Sequence, residues 1–215
     1  MNEKAVKTWA RIALIGIAVY VVLDIVVELL TPHYSVRQAE SVLAIAGPFG
    51  FIMNINFLVR GVLSIAGVVA ISLYVKKIAS GSVGFAIGRA LLLVWGVAAL
   101  FLALFNCDDV SPAVTVHGKI HVLLGAVAFV GAPIGAFLMS LAMRKIDRLR
   151  TIWAATLVVA VASAVAFLML LLKRFSSVAG IVERVGIALI LVWIGVVASR
   201  LVRVTAVTPE QSSHE

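Results

Sequence analysis

Six apolar runs, each close to 20 residues or longer, divide the chain from one end to the other. At 1.5 Å per residue, about 20 helical residues cross a hydrocarbon core ~30 Å thick. The runs are continuous rather than alternating, so each predicts a helix and not a barrel strand. They cover about residues 9–30, 49–75, 85–105, 117–143, 151–172 and 180–202. Composition leaves little room for another fold. The 215 residues are 63% hydrophobic and 13% charged, with a mean hydropathy of +1.15. A soluble domain of this size cannot hide that much apolar surface. The expectation is an all-α polytopic membrane protein: one transmembrane domain over residues 1–215, a six-helix bundle, ending in a short flexible tail at 203–215. No internal repeat argues for an inverted-repeat transporter.

The net charge of +8 follows topology and does not imply nucleic acid. Lys4, Lys7 and Arg11 precede the first run, and Lys76, Lys77 and Arg89 flank the second connection. Arg144, Lys145, Arg148 and Arg150 fill the fourth connection, and Arg200 and Arg203 close the last run. The opposite side holds Arg37, Lys119, Lys173, Arg174 and Arg184. The positive-inside rule then puts both termini in the cytoplasm of a multi-pass plasma-membrane protein. The segment MRKIDRLR reads as a topological anchor that also touches anionic headgroups. The basic start and first apolar run imitate a signal peptide, but the run is too long and lacks a small-x-small site before Thr31, so an uncleaved helix is expected. The glycines of GSVGFAIG fit neither dinucleotide nor P-loop spacing, and no nucleotide is implied. The lone Cys107 cannot form an internal disulfide.

Topology converts positions into depths. Asp24 lies about 22 Å and Glu28 about 28 Å from the start of the first run. Asn56 on the second run falls at a depth similar to Asp24, with Arg60 near the midplane. The fourth run opens at His117, with His121 about 6 Å deeper. Asp108 and Asp109 sit just above, and Glu183 and Arg184 begin the sixth run. Buried ionisable groups cost about 2.5–3.5 kcal/mol each at a helix centre, so they face the bundle and find partners. An outward-facing polar pocket is therefore expected from Asp24, Asn56, Arg60, Asp108, His117, His121 and Arg184. It would handle a lipid or another amphipathic molecule, with membrane lipids as its partners.

Two readings of this layer stay open. His117 and His121 share a helical face, and with Asp108 they make a candidate zinc site for metal-assisted hydrolysis, Asp24 or Glu28 being the candidate catalytic base. HGKIH nevertheless lacks the glutamate of the His-Glu-x-x-His motif. The alternative is a non-enzymatic transporter or scaffold with a structural polar network, in which Asp24 and Arg60 pair between the first two helices. Gly84 with Gly88, and Gly131 with Gly135, have the spacing for close helix approach, and Pro133 lies between the second pair.

LTPHYSVRQAES, NFLVRGVL, ALFNCDD and HGKIHVLLGAVAFVGAPIGA resemble, in order, the landmarks of an uncharacterised six-helix prokaryotic membrane family, domain of unknown function 998 (DUF998). Carried over by position, the resemblance marks Pro32, Tyr34 and Ser35; Asn56, Phe57 and Gly61; Phe105 and Asp108; and His117, Gly118 and His121. Arg184 also fits. The family's Ser-Glu reads Ser41-Val42 here, so its glutamate is missing unless Glu40 or Glu28 takes that place. The proline before Asp108 is Asn106, and Asp109 and Arg60 look like additions. A more distant similarity, to the Frag1/DRAM/Sfk1 group linked to lipid biology, rests on the His-x-x-x-His opening and the Gly-Ala-x-x-Phe run. None of this implies a particular activity.

Overall fold

The computed structural model describes residues 2–75, 82–109, 112–172 and 176–205. Long helices account for most of them: α1 (Glu3–Leu30), α2 (Gly50–Val75), α3 (Val83–Leu102), α4 (Val116–Met143), α5 (Trp153–Leu171) and α6 (Ala179–Val204). All six are long and apolar enough to cross a membrane, and there is no strand among the described residues. The chain is an all-α, multi-pass membrane protein.

Local chemistry explains where the helices differ from the apolar runs. α1 starts at Glu3 because the Asn2 side chain accepts the Ala5 amide at 3.0 Å, and the first-turn glutamate suits the helix dipole. α4 is capped by Thr115, whose hydroxyl accepts the Gly118 amide at 3.0 Å. α3 stops at Leu102, short of Phe105. α6 continues to Val204, past the start expected for the tail. The rest of that tail, from residue 206, lies outside the described residues, as do Lys76, Lys77, Lys173 and Arg174.

Successive helices pack as neighbours, α1 against α6 closes the ring, and α2 meets α6 across it. α2 and α6 form the centre: 56% and 50% of their apolar windows are buried, against 17% for α1 and 28% for α5. Only one member of each expected glycine pair brings backbones together. A Cβ on Gly88 would sit 2.8 Å from the Gly135 carbonyl, and one on Gly135 would sit 2.8 Å from that of Gly88. Gly84 meets no neighbouring helix, and Gly131 has ordinary contact distances to Leu91. Inside the bundle, polar side chains find partners that lipid cannot supply. Trp95 donates to Ser64 at 3.0 Å, Trp193 to Ser140 at 2.8 Å, and Ser163 to the Gly186 carbonyl at 3.1 Å.

The start of α1 and the end of α6 share one end of the bundle with the α4–α5 connection. There Arg148 donates to the Val204 carbonyl at 3.0 Å and Arg200 to the Arg148 carbonyl at 2.7 Å, while Glu3, Arg148 and Arg200 all act electrostatically on Tyr74. The polar layer occupies the opposite end, beneath the α1–α2 and α3–α4 connections.

Candidate functional site: a buried polar layer between two cavities

The α1–α2 connection does not stay on the surface. Its short 3₁₀ helix, Glu40–Ala44, tucks into the bundle, held by Leu43 packing with Val27, Met53 and Phe57. This carries Glu40 to a fully buried position. One carboxylate oxygen accepts the Tyr20 hydroxyl, and the other receives the Arg60 guanidinium at 3.2 Å. Arg60 is itself 2% exposed and lies over the rings of Phe57 and Trp95, at 4.9 and 5.3 Å from their centroids. The expected Asp24–Arg60 pair is therefore corrected: Arg60 pairs with Glu40. An in-folded connection was needed for that partner to exist, and helix depths alone do not include it. One Asp24 oxygen, the Arg60 Nε and both polar atoms of Asn56 are buried without a protein partner.

A second ion pair joins α1 to α6. Arg184 donates to one Glu28 oxygen through Nε at 3.0 Å and Nη2 at 2.7 Å. It also bonds the Tyr34 hydroxyl and the carbonyls of Gln38 at 3.1 Å and Gly180 at 3.3 Å. Burial pushes the Tyr34 hydroxyl up to about 12, with Arg184 opposing that rise. His33, at φ 62° in the left-handed region, turns the chain after α1 and delivers Tyr34 to this contact. The connection lies so close to α6 that a Cβ on Gly180 would collide with the Gln38 carbonyl.

The zinc candidates are placed differently. Asp108 accepts the backbone amides of Val114 at 2.7 Å and Thr115 at 2.9 Å, and the Thr115 hydroxyl at 2.5 Å. These bonds, that of the Thr115 hydroxyl foremost, hold its carboxyl below the usual range. Its carboxyl group rests on Gly118, where a Cβ would collide with it. Asp108 thus closes the loop that caps α4. His117 is exposed and packs on the Phe105 ring at 5.3 Å. His121 is 9% exposed, and its Nδ1 lies 2.7 Å from the Phe105 carbonyl. A carbonyl only accepts, so Nδ1 carries a proton, and when the ring is neutral Nε2 keeps a lone pair. No group of three or more His, Cys, Asp or Glu residues is placed to hold a metal ion among the described residues. His117, His121 and Asp108 therefore do not assemble into a zinc ligand set.

Two cavities flank the layer. The smaller, about 250 Å³, has Ser41, Arg60, His121 and Glu183 on its polar wall. Its rim includes Val122 and Leu171, which are 59% and 46% exposed. The larger is a groove of about 900 Å³ between α1 and α6, with Tyr20, Asp24 and Arg184 toward one end. The seven expected pocket residues therefore divide. Arg60 and His121 line the small cavity, while Asp24 and Arg184 line the groove. Asn56, Asp108 and His117 line neither. The adjacent residues Glu183 and Arg184 turn toward different cavities, and the Tyr20–Glu40–Arg60 chain spans between them.

Glu40, Tyr20, Glu183 and Tyr34 were not expected in the pocket. Tyr20, Asp24 and Glu28 carry a legible signal, since they recur every four residues on one face of α1. Glu183 reads as a helix start but is 9% exposed and lies near the Glu40 amide and the charges of Arg60 and Arg184.

The profile of a protein family of unknown function, DUF998, matches residues 14–200. The chain belongs to the DUF998 family. The match reaches into all six helices, so the DUF998 region includes both arginine centres, the small cavity and the groove except for Arg203. No curated protein and no solved structure matches the chain.

Proposed function

We propose that this DUF998 protein binds the polar end of a neutral amphipathic molecule in the small cavity, with the apolar remainder lying in the bilayer. The carrying observation is the contrast between the cavity's two walls. Arg60, His121 and Glu183 form one side, and exposed apolar residues such as Val122 and Leu171 form the other. The Arg60 guanidinium on that wall is a donor, and the His121 ring, when neutral, provides an acceptor. That pairing suits a hydroxyl-bearing head. At about 250 Å³ the space falls below the ~300–1,000 Å³ of whole-ligand pockets, so it takes a head and not an entire lipid.

The charge distribution supports a plasma-membrane protein with cytoplasmic termini. The terminal end carries ten described Lys and Arg residues, while the polar end holds Arg37, Lys119 and Arg184 and the buried Arg60. The cavity then opens toward the outer leaflet.

The test uses a monoacylglycerol carrying a diazirine in its chain, with protein reconstituted in nanodiscs. Photolabelling should map to α4 and α5 near Val122 and Leu171. A Cβ on Gly125 would meet no atom within 4 Å, so Gly125→Leu fills the cavity without straining the backbone. That variant should lower labelling at least several-fold with unchanged thermal unfolding, and His121→Leu should lower it as well, at a cost in stability because the Phe105 carbonyl loses its donor. Equal labelling in all three proteins would reject the proposal.

A structural scaffold is the second reading. It is favoured by the neutralisation of both arginines, Arg60 by Glu40 and Arg184 by Glu28. It predicts loss of stability, without loss of any ligand, when one member of a pair is removed.

A further inference from the structure

The groove between α1 and α6 differs from the small cavity in length and in the charge at its ends. From Arg184 to Arg203 it follows α6 for about 28 Å at the helical rise, close to the ~30 Å of a hydrocarbon core. Its walls are apolar through most of that length. Val21 and Ile25 on α1, and Val192 on α6, are 45%, 51% and 49% exposed. On α6, Ala188, Gly195 and Ser199 contribute small side chains that leave the channel wide. A Cβ on Gly195 would approach only Ile17, at 3.5 Å.

Both ends carry arginine, but only one has donors to spare. The Arg184 guanidinium is committed to Glu28, Tyr34 and backbone carbonyls. At the terminal end, Arg200 spends only its Nε, on the Arg148 carbonyl. The Arg203 guanidinium makes no hydrogen bond or ion pair with the described residues. Among the described residues, Asp24 is the one acid lining the groove, and it lies at the opposite end. Ser199 and Thr151 add hydroxyls next to the arginines, at the depth where a glycerol ester lies beneath a phosphate.

We propose that this groove is a binding site for an anionic phospholipid from the leaflet on the side of the chain termini. Arg200 and Arg203 hold its phosphodiester, Ser199 and Thr151 meet the ester region, and the acyl chains lie between α1 and α6. Paired guanidinium donors match phosphate oxygens, and the apolar length behind them excludes a free anion as the natural occupant. The site shares no residue with the small cavity and does not depend on the function proposed for it.

Native mass spectrometry of protein released from nanodiscs tests this, with phosphatidylglycerol and phosphatidylcholine of matched chains in equal amounts. Wild-type protein should retain phosphatidylglycerol at least about five-fold over phosphatidylcholine. Arg203→Gln, which breaks no described bond, should remove most of that preference, and Arg200→Gln/Arg203→Gln all of it. Gly195→Leu should displace lipid of both kinds while the protein stays monodisperse with unchanged thermal unfolding. Equal retention of the two lipids by wild type, or an unchanged preference in Arg203→Gln, would overturn the proposal.

Discussion

Glu40 and Arg60, twenty residues apart in the chain, form an ion pair of 3.2 Å with side chains 1% and 3% exposed. Removing one member of such a pair strands the other charge, which costs about 3–5 kcal/mol, whereas replacing both with apolar groups is often close to neutral. Arg60→Met and Glu40→Leu should each destabilise by that amount, and the double variant should recover most of the loss. Unfolding in a detergent titration gives the three values. Additive losses in the double variant would refute the coupling.

The Glu28–Arg184 pair depends on shape as well as charge. Arg184 reaches Glu28, Tyr34 and three carbonyls at once through a planar fork, which lysine cannot reproduce. Arg184→Lys should therefore lose about 1–3 kcal/mol and raise hydrogen exchange across residues 34–40. The Tyr34 hydroxyl is raised when folded, so its contribution is present below the ordinary value and lost as pH rises through about 12. A Tyr34→Phe difference spectrum should place that ionisation near the upper value.

Acid should loosen the entrance to α4. Asp108 is held below the ordinary carboxylate range by the Thr115 hydroxyl and by the Thr115 and Val114 amides. A depressed folded value contributes stability above the unfolded value, and that contribution falls away as pH drops through the folded one. Protection of the Val114, Thr115 and Gly118 amides, relative to intrinsic exchange at each pH, should therefore fall below about pH 4. In Asp108→Asn it should be low already at neutral pH. Wild-type protection factors that do not change with acid would contradict the clamp.

Cys107 is a built-in reporter of orientation. It is the chain's single cysteine, lies at the polar end, and donates to the Ser41 carbonyl at 3.3 Å. Burial pushes its thiol up, so labelling should be slow at neutral pH and faster in mild alkali. A membrane-impermeant maleimide should label it in intact cells if the termini are cytoplasmic. Labelling only after the membrane is opened would reverse the topology.

Hydropathy and local chemistry alone determined the number of helices, their approximate limits and the end of the bundle that collects polar groups. These are properties of segments: about 20 apolar residues must be helical in lipid whatever surrounds them, and 1.5 Å per residue sets each side chain's depth. Partner choice is not a property of a segment. Asp24 and Arg60 have suitable depths, yet Glu40 takes Arg60 because the connection between α1 and α2 folds inward and buries Leu43 beside it. Asp108 and the two histidines have a metal-binding alphabet, yet the Asp108 carboxylate turns to amides seven and fewer residues ahead. Depth was legible because it accumulates along one helix. Pairing and the division into two cavities were decided only by tertiary structure, which sets the angle around each helix and the path of each connection.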